Sequence, residues 1–410
     1  MKGQDVTDPD GMLEGLCGSE HEDIVVVRRA QSGLRAIVAI HSTLLGPSLG
    51  GARFYAYRDE ALALRDVLRL SRAMTEKAAL AGLAQGGGKA VIIGDPAVVK
   101  TPALLRDFAA AVDRQEGRYI TAEDVGTTQA DMDLIRGTTP FVAGTSPSLG
   151  GSGDPSPATA HGIVVAMEAA ARRRWGSGLE GRSALVLGAG KVGGEVVRLL
   201  VERHVDVVAS DADGERVRQA MRAGAVRSVD PAEAAGVPVD ILCPCALGGL
   251  LTDELVPGLR VEIIVGAANN QLAHPGVADT LAAAGILYVP DFLANAGGII
   301  NIAEEARGYD PAAASKAVER IGETTANVLE RADLRHITPL AAAEQLVTER
   351  LNGAREGLGL PGPGRATAAG AGAESLAPGG RTTRNGRTGA PGAVPGGAAA
   401  SVPRAARLRS

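Results

Sequence analysis

The segment from residue 183 to residue 211 constrains the fold of this chain more than any other. It contains a buried-strand pattern, Ser183–Leu187, a glycine-rich turn, a helix from Gly194 to about Arg203, and a second strand, Asp206–Asp211. A G-x-G-x-x-G turn is weak evidence alone, but between a strand and a helix it indicates dinucleotide binding. Its glycines permit a tight turn and close approach of a pyrophosphate to the helix N-terminus. The alternative, that the glycines only allow the turn to pack, is the weaker interpretation. The predicted cofactor-binding residues of the turn are Gly188, Ala189, Gly190, Lys191, Val192 and Gly193.

Asp211, the last residue of the second strand, predicts which cofactor is bound. A carboxylate there binds the ribose hydroxyls and repels a 2′-phosphate, so we expect NAD rather than NADP. Strand patterns at 239–243, 261–265 and 286–289 extend a parallel sheet, whose ligands bind at the carboxyl ends of the strands. The residues predicted to face the cofactor from those ends are Cys245, Ala246 and Asn295. We interpret Cys245 as a small lining residue rather than a reactive thiol.

A second segment, residues 74–124, carries the side chains suited to chemistry. It places Lys77 and Lys89 twelve residues apart and adds one carboxylate, Asp124. Lys89 follows Gly86–Gly88, which predicts a turn, and opens an apolar run typical of a buried strand. A lysine in that position points at something other than bulk water, and desolvation makes a lysine a base near neutrality.

Each of these features also has a purely structural interpretation when it is taken alone. Lys77 falls near the end of a helix predicted from Asp59 to about Ala81, where the helix dipole favours a cation. Asp124 follows a short strand and could instead cap the next helix. The glycine pair within residues 46–54 reads as a turn between strands. The three charged side chains together favour a reaction site.

Charge and cysteine usage narrow the class of function. The net charge is −5, and residues 361–410 contribute +6 of it through seven Arg and one Glu. The first 360 residues therefore carry −11, and this negative charge argues against a nucleic-acid partner. Three cysteines make no disulfide framework and suit a reducing cytoplasm, and six scattered histidines predict no metal site. No apolar run is long enough for a membrane span.

The patterns predict an α/β protein of two domains separated by a catalytic cleft. Residues 1–145 are expected to form an N-terminal α/β domain for substrate binding and oligomerisation, completed by helices at about 325–357. Residues 146–324 are expected to form a Rossmann dinucleotide-binding domain, with Gly144–Asp154 as the linker. Residues 358–410, rich in Gly, Ala, Pro and Arg and without apolar periodicity, are predicted to be a disordered tail.

Eight motifs in one order resemble the glutamate/leucine/phenylalanine/valine dehydrogenases, and most closely the valine and leucine dehydrogenases. The resemblance covers about residues 20 to 355 and rests on L-G-G-A-R-F, M-T-E-K, G-L-A-Q-G-G-G-K-A-V-I-I-G-D-P, T-A-E-D-V-G-T, G-A-G-K-V-G, P-C-A-L-G-G, G-A-A-N-N-Q-L-A-H-P-G-V and N-A-G-G-I-I-N. It implies that an L-amino acid, NAD and water are converted to a 2-oxo acid, ammonia and NADH by a homo-oligomer.

The resemblance also implies roles for individual residues. Lys77 matches the lysine that binds the substrate carboxylate, Lys89 the lysine that activates water for attack on the imino acid, and Asp124 the acid that relays protons. Asn270 is similar to the residue that contacts the amino side of the substrate. Thr159 is similar to the one near the nicotinamide carboxamide.

The side-chain pocket is where the chain departs from glutamate-specific members. Those carry a lysine immediately before the glycine pair Gly50 and Gly51, which matches the backbone bend over the substrate, whereas this chain has Leu49. An apolar residue there would leave a buried γ-carboxylate unpaired. The predicted pocket is aliphatic, excludes glutamate, disfavours phenylalanine, and leaves valine, leucine and isoleucine open, since one methylene is worth about 1–3 kcal/mol. Its predicted lining residues are Leu49, Met74, Ala122 and Leu293.

Two alternatives stay open at this point. One is a catalytically silent NAD-binding regulatory homologue, which the retention of Lys77, Lys89 and Asp124 argues against. The other is a dehydrogenase of the same family for another amino acid such as phenylalanine. Three positions depart from residues that close relatives often have, namely Glu76, Ala78 and Asp154.

Overall fold

The computed structural model describes residues 20–246 and 248–360. The segment before residue 20 and all but the first three residues of the predicted tail lie outside this range. Among the residues described, no helix is both long and apolar enough to cross a bilayer.

The N-terminal domain is built on a mixed sheet. Its strands are β1 (Asp23–Arg29), β2 (Leu34–Ser42), β3 (Ser48–Tyr55), β4 (Gly86–Ile93) and β5 (Tyr119–Glu123). They lie in the order β1-β2-β4-β3-β5. The pairs β1–β2 and β2–β4 are antiparallel, whereas β3 runs parallel to both β4 and β5. This order places β3 between the strands that carry Lys89 and precede Asp124.

Helices cover both faces of this sheet. They are α1 (Glu60–Leu80), α2 (Pro96–Val99), α3 (Pro102–Asp113) and α4 (Gln129–Arg136). Helix α1 begins where the sequence predicts, because Asp59 Oδ1 accepts a hydrogen bond from the backbone N of Leu62 at 2.7 Å. It packs on β2 and β4 on one face, while α3 and α4 enclose Phe54, Ile92 and Phe108 on the other. Residues alternate along a strand, so Lys89 faces the α1 side.

Two predicted turns are instead strand interior, which corrects the sequence interpretation. Gly86–Gly88 begins β4, and Gly50 lies within β3; none of these residues has a positive φ. A Cβ on Gly87 would lie 2.1 Å from the backbone N of Thr75 in α1, and one on Gly50 would lie 1.9 Å from the carbonyl oxygen of Gly88. The glycines therefore allow backbones to pack closely, and they do not turn the chain.

The second domain contains a parallel sheet. Its strands are β6 (Ser183–Leu187), β7 (Asp206–Ser210), β8 (Arg227–Ser228), β9 (Ile241–Pro244), β10 (Ile263–Ile264) and β11 (Leu287–Tyr288). Their order is β8-β7-β6-β9-β10-β11, which is the Rossmann order. The chain leaves β6 toward one edge and resumes at β9 on the other side. A crevice for a ligand therefore lies beyond the carboxyl ends of β6 and β9.

The remaining helices surround this sheet and return to the first domain. They are α5 (Ser156–Trp175), α6 (Lys191–Val201), α7 (Gly214–Arg222), α8 (Val277–Ala283), α9 (Asp291–Ala294), α10 (Gly297–Ala303), α11 (Pro311–Arg335) and α12 (Pro339–Gly357), with 3₁₀ turns at Pro147–Leu149, Ala234–Gly236, Val256–Gly258 and Glu304–Arg307. Helix α12 packs on α1, where Arg350 donates to the carbonyl oxygens of Ala79 and Leu83 at 2.8 and 2.7 Å. The predicted two-domain α/β fold is confirmed, while the residue boundaries of the domains stay a prediction.

Several element boundaries differ from the predicted ones. Helix α6 begins at Lys191, three residues before the predicted start, because Gly190 is its N-cap and Gly193 already lies inside the first turn. A Cβ on Gly193 would lie 1.8 Å from the carbonyl oxygen of Gly188, so this glycine lets the helix pack onto the preceding turn. Strand β7 ends at Ser210, one residue before the predicted end, and strands β9, β10 and β11 begin or end one or two residues away from the predicted limits.

Candidate active site

Lys89 and Asp124 form a buried ion pair on the face of the first sheet that α1 partly covers. Lys89 Nζ donates a hydrogen bond to Asp124 Oδ2, and Lys89 is only 4% exposed, as predicted for a desolvated lysine. Burial alone would raise the pKa of Asp124, but the charges of Lys89 and Arg53 and their hydrogen bonds outweigh it and lower that pKa to about 2. Asp124 does not cap the next helix, since Thr128 caps α4. Asp124 is therefore a carboxylate at neutral pH.

Lys77 reaches from α1 toward the Rossmann domain. Its Nζ donates to Asn269 Oδ1 at 3.2 Å, and Asn295 Nδ2 donates to the same oxygen at 2.9 Å. Burial lowers the pKa of Lys77 to about 8; the carboxylates of Asp291 and Asp124 oppose this shift and the Lys89 ammonium adds to it. The last turns of α1 thus place an ammonium at the boundary between the two domains, close enough to Lys89 for their charges to interact.

The glycine pair of β3 brings backbone close to these side chains. A Cβ on Gly51 would lie 2.8 Å from Cβ of Asp124 and 2.5 Å from the carbonyl oxygen of Glu123, and one on Gly50 would lie 3.4 Å from Cγ of Met74. Any side chain at Gly51 would displace Asp124. This explains why glycine stands at the position predicted to pass over the substrate.

A cavity with apolar and polar walls begins at Leu49, one residue before the glycine pair, and its polar lining residues are Gln85, Arg136, Thr145 and Glu305. Its volume is about 140 Å³, and Leu49 is fully buried at its wall. The other apolar lining residues are Ile120, Val142, Ala143, Leu149, Ile302, Ala303 and Ala306. Leu293 and Met74 pack in the same apolar cluster as Leu49, and Ala122 is buried opposite Gly51 in β5, but these three do not line this cavity. Ile302 was missed by the sequence analysis, although it lies within two residues of the quoted N-A-G-G-I-I-N motif.

The glycine turn after β6 has the features of a dinucleotide site. Gly188 has a φ of 103°, and Gly190 caps α6 without a side-chain hydrogen bond, which leaves the first amides of the helix open to a ligand. Asp211 Oδ2 accepts from the backbone N of Ala189 at 2.8 Å, which fixes the carboxylate against the turn. Arg216 Nη1 lies 3.7 Å from the same oxygen.

Three further residues predicted to bind the cofactor have these positions in the structure. Asn295 is 6% exposed, and its Oδ1 has no hydrogen-bond partner among the described residues. Thr159 lies in the first turn of α5, beside the N-terminus of α10, with its Oγ1 donating to the carbonyl oxygen of Pro155 at 2.9 Å. Cys245 packs under the glycine turn beside Gly193, with its Sγ 3.5 Å from that of Cys243.

The two domains therefore bring an ion pair, an ammonium group and a dinucleotide crevice to one boundary. Two family models match the chain: "Glu/Leu/Phe/Val dehydrogenase, dimerisation domain" over residues 21–141, and "Glutamate/Leucine/Phenylalanine/Valine dehydrogenase" over residues 214–356. Leucine dehydrogenase of Geobacillus stearothermophilus is 44% identical over 338 residues, which cover 82% of this chain and 92% of that protein. This chain belongs to the Glu/Leu/Phe/Val dehydrogenase family.

Other members of the Glu/Leu/Phe/Val dehydrogenase family are similar over the same range. Valine dehydrogenase of Streptomyces virginiae is 46% identical, covering 84% of this chain and 98% of that protein. The crystal structure of L-tryptophan dehydrogenase from Nostoc punctiforme superposes with a TM-score of 0.72 at 40% identity, covering 84% of this chain and 99% of that one. The predicted family and the predicted enzyme class are confirmed.

The structure also contains residues near the site that the sequence analysis did not single out. Asn269, rather than its neighbour Asn270, has its side chain against Lys77, while the backbone N–H of Asn270 bonds the carboxylate of Asp291. Arg53 bonds Asp124 directly. Arg53 and Asn269 both lie inside motifs quoted above. The motifs therefore identified the segments at the site, but they did not show which side chains face it.

Proposed function

We propose that this protein catalyses the reversible, NAD-dependent oxidative deamination of a branched-chain L-amino acid to the 2-oxo acid and ammonia. The observation that carries the proposal is the convergence of Lys77, Lys89 and Asp124 at the edge of a Rossmann crevice. Valine and leucine dehydrogenases at 44–46% identity support the substrate class. The partners are the amino acid, the 2-oxo acid and ammonia.

The crevice fits a dinucleotide on its own geometry. The uncapped amides at the start of α6 suit a pyrophosphate, and the fixed carboxylate of Asp211 suits ribose hydroxyls. The Oδ1 of Asn295, which has no partner within residues 20–246 and 248–360, suits the carboxamide. The acid at Asp211 favours NAD over NADP. When bound, the nicotinamide supplies the hydride acceptor, and the protein positions the reactants and handles protons.

Each charged residue has a distinct proposed role. The ammonium of Lys77 binds the substrate carboxylate and orients Cα. Lys89 in its neutral form accepts a proton from the water that attacks the imino carbon, and then donates a proton to the amino nitrogen, which leaves as ammonia. Asp124 accepts or returns that proton through Oδ2, which already bonds Lys89. Closure of the two domains would exclude bulk water from these steps.

Substrate selection is proposed to depend on the cavity at Leu49. The apolar part of the wall around Leu49 favours an aliphatic side chain, and Leu49 itself offers a γ-carboxylate no partner, while Arg136 and Glu305 line another part of the cavity. An aromatic amino acid is the second candidate, because the volume of about 140 Å³ is close to the ~150 Å³ of an engineered apolar cavity that binds benzene. The 40% identity to an L-tryptophan dehydrogenase points the same way.

We also propose that the protein is a homo-oligomer. The model that matches residues 21–141 describes a dimerisation domain. Light scattering of the purified protein gives the number of subunits. A monomer at micromolar concentration would refute this part of the proposal.

The test of function is NADH formation at alkaline pH with valine, leucine, isoleucine, phenylalanine, tryptophan and glutamate in parallel. We expect turnover on the branched-chain set with NAD, little with NADP, and none with glutamate. Equal rates on glutamate and valine would refute the argument from Leu49. A higher kcat/KM for an aromatic substrate would favour the second candidate, and NAD binding without any turnover would indicate a silent homologue.

A further inference from the structure

Arg53 is a largely buried cation beside the Lys89–Asp124 pair that the reaction as proposed does not use. Its Nε donates to Asp124 Oδ1 at 3.0 Å, and its Nη1 donates to Asp66 Oδ2 at 3.0 Å. Asp66 lies on α1, Arg53 on β3, and Asp124 directly after β5. One guanidinium therefore ties the carboxylate of the candidate site to a helix on the same face of the sheet.

The two oxygens of Asp124 have different partners. Oδ1 accepts from Arg53 Nε and from the backbone N of Val125 at 2.7 Å, whereas Oδ2 accepts from Lys89 Nζ. With two donors on Oδ1, Oδ2 is the oxygen available for proton exchange with Lys89. Rotation of the carboxylate would break both bonds to Oδ1.

We propose that Arg53 is a positioning residue for this reaction: it holds Oδ1 of Asp124 so that the carboxylate stays ionised and its Oδ2 faces Lys89. The inference rests on the proposed function, because that function assigns the proton relay to Asp124. Arg53 touches neither Lys89 nor a reacting atom, and it acts through Asp124 alone.

The other end of Arg53 is anchored firmly. Asp66 Oδ2 also accepts from the hydroxyl of Tyr57 at 2.6 Å, and Asp66 Oδ1 accepts from Arg69 Nη2 at 2.9 Å. Because Asp66 has these partners of its own, it fixes the plane of the guanidinium. A lysine at position 53 would keep the charge, but its single ammonium lacks the rigid, planar set of donors that reaches both carboxylates.

The charged and titratable groups around Asp124 predict the direction of a pH effect. They come from β3, β4, β5, α1 and the segment after β3. They are Arg53, Lys89, Glu123, Tyr119, Lys77, Asp66 and Tyr57. Replacing Arg53 by a neutral residue removes one positive charge from this group. The pKa values of the neighbouring titratable groups should therefore rise. The acid limb of the pH profile should then move to higher pH by about one unit.

The experiment compares Arg53→Met and Arg53→Lys with the wild type, using full pH profiles of kcat and KM for the best amino acid. For Arg53→Met we expect kcat to fall at least about tenfold, KM to stay within about threefold, and the acid limb to move up. Arg53→Lys should return the limb toward its wild-type position and recover kcat only in part. A similar loss of kcat with an unmoved limb, or a change in KM alone, would overturn the proposal.

The matched control is Arg35→Met, which removes another arginine of the same sheet. Arg35 lies on β2, is half exposed, and pairs with Glu60 at the start of the same helix, far along the sheet from Asp124. We expect its kcat, KM and pH profile to match those of the wild type. Changes like those of Arg53→Met would mean that any lost arginine disturbs the sheet, and the proposal would fall.

A second measurement needs no turnover and separates this inference from the proposed function. Urea unfolding of wild type, Arg53→Met, Asp124→Asn and the double variant forms a double-mutant cycle. We expect Arg53→Met to shift the midpoint clearly less when Asp124 is already replaced, whereas additive shifts would overturn the coupling. If the wild type turned over no amino acid, the proposed function would fail, and the cycle alone would still decide whether Arg53 holds Asp124.

Discussion

Replacement of Lys77 by methionine should make the folded protein more stable at pH 7 while removing amino-acid binding. Burial has lowered the pKa of Lys77 to about 8 from the ordinary lysine value of 10.5. Keeping its proton below pH 8 therefore costs about 3 kcal/mol, at 1.36 kcal/mol per unit of pKa. Methionine also loses the hydrogen bond to Asn269, worth about 1 kcal/mol. The expected net gain is about 2 kcal/mol.

The sign of the pH dependence follows from proton linkage. The unfolded chain binds the proton of Lys77 more tightly than the folded protein does. Below pH 8 both states are protonated and the full penalty acts on the folded state. Between pH 8 and 10.5 only the unfolded state keeps the proton, so the penalty declines and the advantage of Lys77→Met should shrink.

Urea unfolding followed by circular dichroism at pH 7 and pH 10 tests this prediction. The control is Lys100→Met, because Lys100 Nζ is paired with Asp131 at 2.8 Å and its replacement should destabilise the protein at both pH values. Saturation of the Lys77→Met variant with valine should be lost. A Lys77→Met protein that is less stable than wild type at pH 7, or one with the same gain at both pH values, would refute the reasoning.

Three further substitutions test the remaining assignments. Lys89→Ala should lower kcat by about 10³-fold and leave the Kd for NAD unchanged, since general acid–base catalysis contributes about 10²–10⁴; near-normal turnover would remove its proposed role. Asp211→Ala should raise the NADP/NAD ratio of kcat/KM about tenfold, since it loses bonds to the ribose and removes one of the two carboxylates beside Arg216, the other being Asp213. An unchanged ratio would count against Asp211. Leu49→Lys should raise the glutamate/valine ratio of kcat/KM at least about tenfold, because the new ammonium pairs the γ-carboxylate. Assays on both substrates test this, and a fall in both rates with an unchanged ratio would contradict it.

The predictions that held were those based on local chemistry. Asp59 was expected to begin a helix and does so, because a side-chain cap acts within three residues of itself. The turn between β6 and α6 was expected from its glycines, and the Rossmann strand order followed from the alternation of strands and helices. The resemblance of eight motifs identified the family and proposed Lys77, Lys89 and Asp124.

The predictions that failed or missed residues depended on which distant segments lie together. The sequence Gly86–Gly88 is typical of a turn, yet these residues begin a strand. Glycine is needed at Gly87 because Thr75, on helix α1, packs directly against its backbone. Of two adjacent asparagines, Asn269 accepts the hydrogen bond from Lys77, a contact that depends on how the Rossmann domain meets α1. The predicted contact of Asn270 with the substrate stays a prediction.

The amino-acid sequence by itself therefore determined the elements, the two-domain α/β class and the chemical groups available for the reaction. Only the tertiary structure decided which of those groups bond each other. Oδ2 of Asp124 accepts from Lys89 and Oδ1 accepts from Arg53, while Lys77 donates to Asn269 of the Rossmann domain. Capping and strand patterns act over a few residues, whereas hydrogen bonds between residues 71 and 192 positions apart exist only after the chain has folded.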